Sequence, residues 1–239
     1  MMDFKIFPNK LTRLLIFITL GLGLASLAGQ FYVYFLNGEN FSEVVRMFNV
    51  DLERNLPTIF SALILLFSSL LIQLIALSKL KTKDKYAYHW QGLSIIFMYL
   101  SVDELIEIHE KANKILRRFP QSTSDQKWDI LNIVFVTIFV LFYVKFFFHL
   151  PKKIQGLFIL AFSLYVIGGV GIELFGVFFL TNIYNQQTFW SQVITTIEEC
   201  LEMIGVSIFI HALLIYGSSF IKDIHIQIFG SEKKYLTNE

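Results

Sequence analysis

Two short acidic runs hold the residues best suited to chemistry. One reads Ser101-Val102-Asp103-Glu104-Leu105-Ile106-Glu107-Ile108-His109-Glu110, the other Thr195-Thr196-Ile197-Glu198-Glu199-Cys200-Leu201-Glu202. Each is an acidic pair followed three residues later by a glutamate. At about 100° per residue on a helix, Asp103, Glu104 and Glu107 share one arc of roughly 100°, and Glu198, Glu199 and Glu202 repeat the pattern. Glu173 adds a further carboxylate, flanked on its own face by Gly169 and Gly176, which let a neighbouring helix approach closely. Carboxylate oxygens are hard ligands suited to calcium, magnesium, manganese or iron. In apolar surroundings such groups must be protonated, paired or bound to a cation.

The candidate metal ligands are therefore Asp103, Glu104, Glu107, Glu173, Glu198, Glu199 and Glu202, with His109 beside them. An imidazole ligand would favour a transition metal over calcium. On a regular helix, however, His109 stands about 200° from Glu107 and cannot share its face. His89, His109 and His211 do not converge, so no haem is expected. The HExxH zinc pattern and a glycine-rich phosphate loop are both lacking, and nothing points to nucleic acid. The lone Cys200 gives neither an intramolecular disulfide nor a thiolate pair. The ExxE spacing is similar to that of iron permeases, whose motif begins with Arg; neither run here does. Di-iron carboxylate proteins place Glu and ExxH motifs on bundled helices, but Glu107 is followed by His109 at two residues, not three.

Long apolar segments must position these acids. Hydrophobic residues make up 55% of the 239, with 26 Phe, and the charges collect in islands between apolar runs. A run of about 20 residues crosses the hydrocarbon core as a helix. Six runs qualify, at about 12–36, 57–78, 86–109, 128–149, 154–181 and 190–217. They predict an all-α polytopic membrane protein, one integral domain over 1–239, whose partner is the lipid bilayer. The first run is too long for a secretory signal and reads as a mature span. Residues 41–55 set Phe41, Val44, Val45, Phe48 and Leu52 at helical spacing opposite Glu43, Arg46, Asp51 and Glu53, which predicts an interfacial helix.

Lys and Arg divide 13 to 7 between alternate sides, which places both termini in the cytoplasm, with a bacterial cytoplasmic membrane as the expected location. Spans three and five then run outward and span six inward, so all three acidic sets arrive at one outer depth. The loop with Lys111, Lys114, Arg117, Arg118 and Lys127 is anomalously basic for that side and could fold over the acids as a lid. The competing reading is a solvated rim, with Glu107–Lys111 and Glu110–Lys114 as ordinary helical pairs. Against it, Glu198, Glu199 and Glu202 have no Lys or Arg on their helix or in the preceding loop.

The two runs recur at an offset of 95, which suggests two three-helix pseudo-repeats. An odd number of spans would invert the halves, in tension with a shared depth. The sequence thus predicts cation binding, of a metal (iron, manganese or calcium) or of protons, in the service of transport. The alternatives are a membrane metalloenzyme acting on a lipid-like substrate and a non-catalytic subunit of a membrane complex. Homo-oligomerisation is left open.

Overall fold

A computed structural model describes residues 7–36, 43–52, 54–108, 111, 124–172 and 188–220. Helix α1 (Pro8–Phe35) opens with proline in its first turn, where the missing N–H has no helical partner to lose. Helix α2 (Glu43–Phe48) is a short connector. Helix α3 (Leu56–Lys81) starts at Asn55, whose side-chain oxygen accepts from the Thr58 N–H at 3.1 Å, and has Lys79 and Lys81 in its last turn. Helices α4 (Ala87–Ile106), α5 (Ser124–His149) and α6 (Lys152–Val166) follow. A π-helical turn, Ile167–Ile172, extends α6. Helix α7 (Phe189–Ser218) begins with a reciprocal capping box between Thr188 and Ser191.

Among the described residues there is no strand, and four helical stretches are long and apolar enough to cross a membrane: Pro8–Phe35, Leu56–Lys81, Lys152–Gly169 and Phe189–Ser218. They correspond to the expected first, second, fifth and sixth runs. The third run is the helix α4, which is not among the four, and the fourth coincides with α5, apolar over Thr137–His149. The interfacial helix expected over 41–55 contracts to α2. Its continuation is lost because Asn49 Oδ1 takes the Asp51 N–H at 3.0 Å and Asn55 Nδ2 donates to the Asn49 and Leu52 carbonyls. Short amide side chains of this kind compete with the helical backbone for its own bonds.

Helix α7 is the central element, packed on α6, α1 and α3, while α3 and α4 form a close pair. Two apolar clusters fill the interior, one around Trp90, Phe146 and Tyr216 and the other around Leu15, Leu65, Met203 and Ile210. The outside is also apolar, with Phe17, Leu24, Leu63, Leu70 and Leu77 all exposed. Buried hydroxyls are satisfied internally. Ser69 Oγ donates to the Ser94 carbonyl at 2.8 Å and Ser94 Oγ returns a bond to the Ser69 carbonyl at 3.0 Å. Ser101 Oγ donates across to the Ala62 carbonyl at 2.8 Å. An apolar exterior over a polar-stitched interior is the arrangement that suits helices surrounded by lipid.

Candidate functional site

The acidic runs come together where the end of α4 faces the third and fourth turns of α7. Glu104 of α4 lies within electrostatic reach of Glu199 and Glu202 of α7, and Glu198 adds its charge to both. Glu202 is held from a third side. The Tyr165 hydroxyl, at the end of α6, lies beside its carboxylate. These side chains are half-buried, and Asp103 beside Glu104 is half-buried too.

Glycine makes the approach of α6 possible. A methyl group added at Gly168 would lie 2.9 Å from the Glu198 carbonyl oxygen and 3.0 Å from Glu202 Cγ, and one at Gly169 would strike Glu202 Oε1. Both glycines sit in the π turn, where one extra residue per turn widens the helix and shifts the faces beyond it. The expectation that glycines on span five admit a neighbouring helix is met at Gly169, with α7 as the neighbour.

A profile for a domain of unknown function, DUF8692, matches residues 14–216, which take in nearly all of α1 to α7 and both acidic runs. The chain belongs to the DUF8692 family. No curated protein and no solved structure matches it.

In this DUF8692 chain the structure divides the acidic set rather than gathering it whole. Helix α4 ends at Ile106, and Glu107 takes the left-handed conformation at φ 59°, its N–H bonded to the Asp103 carbonyl at 2.7 Å. That ending turns Glu107 off the helical face it would otherwise share with Glu104. Its carboxylate instead accepts from Arg54 Nε at 3.0 Å. The Glu107–Lys111 pair of the rim reading is not formed, since Lys111 Nζ donates to the Ile106 carbonyl. Glu173 and His109 lie outside the described residues, as do Lys114, Arg117 and Arg118 of the expected lid. Among the described residues no three of His, Cys, Asp and Glu form a group able to hold a metal ion.

Three participants were not legible as site residues in the DUF8692 sequence. Tyr165 lies outside the acidic runs, and only its place just ahead of the glycine-rich turn Ile167–Ile172 hints at the face it shares with them. Asp51 reads as part of an amphipathic connector, yet its charge reaches Glu199 and its Oδ2 accepts from Gln192 Nε2 at 2.9 Å. Arg54 follows it three residues on, in a left-handed conformation at φ 60°.

Proposed function

We propose that this chain is an integral membrane protein that binds a cation at Glu104, Glu199 and Glu202 and transports it. The reading takes α4 and α5 as further spans, giving six, with both termini cytoplasmic and the carboxylates at the outer end. The observation that carries it is the convergence of carboxylates from two helices, with the Tyr165 hydroxyl on one of them, at a glycine-lined turn inside an apolar bundle. Neighbouring carboxylates at low dielectric repel and cannot all stay ionised without positive charge between them. A proton is the simplest such charge, because it needs one oxygen rather than a coordination shell; iron, manganese or calcium would require six or more ligands or retained waters. On the opposite side of the bundle, Ser207 and the Thr12–His211 pair, with Thr12 Oγ1 3.0 Å from His211 Nδ1, continue a polar trail along α7.

The test is proton uptake into proteoliposomes, followed by a trapped pH dye, together with metal analysis of the purified protein. Wild type should acidify the lumen, and Glu199→Gln and Glu202→Gln should each abolish the flux. Stoichiometric bound metal, lost in the same variants, would move the reading from proton to metal ion. Absence of both flux and metal, with unchanged stability of the variants, refutes it.

A further inference from the structure

The segment between α2 and α3 spans the two helices that carry the carboxylates. At one point Asp51 is held by Gln192, on the first turns of α7, at 2.9 Å. At another, Arg54 Nε bonds Glu107, immediately beyond α4, at 3.0 Å. Just before Asp51 the segment is fastened to the bundle, with the Val50 N–H donating to Ser26 Oγ on α1 at 3.2 Å. Asn49, Val50 and Asn55 of the segment are themselves buried. Gln192 lies seven residues before Glu199, about 10 Å further along the α7 axis towards that end. The segment is therefore a strap across the end of the bundle at which the carboxylates lie.

The two ends of the Arg54–Glu107 bond share an unusual backbone. Arg54, Lys83 and Glu107 are the non-glycine residues with positive φ among those described, and two of the three are bonded to each other. Left-handed conformations are unfavourable for non-glycine residues and persist where surrounding contacts enforce them. The pair is also lopsided, with the Arg54 side chain 70% exposed and that of Glu107 11%. Water reaches the guanidinium, so the bond is screened and can open, while the keeper carboxylate stays fixed to the end of α4.

We propose that Arg54 is the latch of a strap that limits the access of water to the half-buried carboxylate cluster, with Glu107 as its keeper, and that this structure is the latched state. The guanidinium supplies Glu107 with the positive charge that an entering cation would otherwise provide, so a cation arriving at Glu107 releases the strap. This inference regulates the site proposed above and rests on that reading for its purpose, but its test does not depend on transport.

The test is the rate at which a water-soluble carbodiimide labels Glu199 and Glu202, read by peptide mass spectrometry, alongside hydrogen exchange of the amides over residues 49–56. Arg54→Gln should speed labelling and exchange by about tenfold, the equivalent of roughly 1.4 kcal/mol of latch. The exchanged pair, Arg54→Glu with Glu107→Arg, should return both rates towards wild type, which a merely misfolded strap would not do. Wild-type rates in Arg54→Gln, or acceleration that the exchanged pair leaves uncorrected, overturn the latch. Faster labelling without any cation flux in the wild type supports the latch and removes the transport reading. Flux with unaltered labelling does the reverse.

Discussion

Replacing Gly168 by alanine tests the contact on which the site depends, and the sign of the effect can be worked out in advance. In a helix interior the substitution alone favours folding by about 0.8–1.0 kcal/mol. At Gly168 that gain meets three obstacles, the Glu198 carbonyl oxygen at 2.9 Å, Glu202 Cγ at 3.0 Å and Leu201 Cβ at 3.2 Å. The nearest is backbone in the 30-residue helix α7 and cannot swing aside as a side-chain tip would. Overpacking of this kind costs about 1–3 kcal/mol. The net expectation is a loss of up to about 2 kcal/mol. Gly156, earlier on the same helix, would present an added methyl group to open space, with nothing within 4 Å, and supplies the control, since Gly156→Ala keeps only the propensity gain. The two variants should differ by the overpacking cost alone, about 1–3 kcal/mol, which in a chain of this size separates their melting temperatures by roughly 2–12 °C. Thermal unfolding in detergent micelles measures it. Equal stabilisation of both variants would mean that α6 does not approach α7 at Gly168, and the arrangement of Tyr165 with Glu202 would fall with it.

Two further outcomes are expected. At the other end of the bundle Asp84 pairs with Lys79 at 3.0 Å; its burial alone would raise its pKa, but the Tyr86 N–H, the Lys79 ammonium and the charge of His149 together hold it below the ordinary 3.8. A depressed carboxylate stabilises the fold above its unfolded pKa, and that contribution disappears as pH falls through the folded value, so Asp84→Asn should lower the melting temperature at pH 6 and flatten its decline below pH about 4. Gly23→Ala on α1 would bring a methyl group 2.6 Å from Cys200 Sγ and should destabilise the chain, while Cys200→Ala in the same molecule restores it; a double-mutant cycle should return a coupling of about 0.5–3 kcal/mol, and additive effects would contradict the contact.

Run length and composition made the helices legible, because a stretch such as Leu56–Lys81 can satisfy its backbone in lipid only by closing bonds upon itself. Spacing and alternating direction gave the expectation that Glu104 lies near Glu199 and Glu202. What spacing could not reveal was where regular geometry stops. The angular argument for Glu107 assumed a helix that in fact ends one residue before it. The same assumption carried an amphipathic helix through Asp51 and Arg54, where two asparagine side chains end it. Tyr165 was hidden differently, since a π turn changes which residues share a face and no single-residue signal marks one.

The mutual bonds of Ser69 and Ser94 also bear on how the protein is made. Helices α3 and α4 are consecutive, joined by the turn 82–86, and the Lys79–Asp84 pair closes that turn. Two hydroxyls that would each oppose entry into hydrocarbon are satisfied by one another within this hairpin. Ser101 is satisfied there as well, by the Ala62 carbonyl. The hairpin therefore carries no hydroxyl debt from these three serines when it leaves the insertion machinery. On the six-span reading proposed above, it can enter the bilayer as a pair before the central helix α7, which starts more than eighty residues beyond Ile106, has been synthesised.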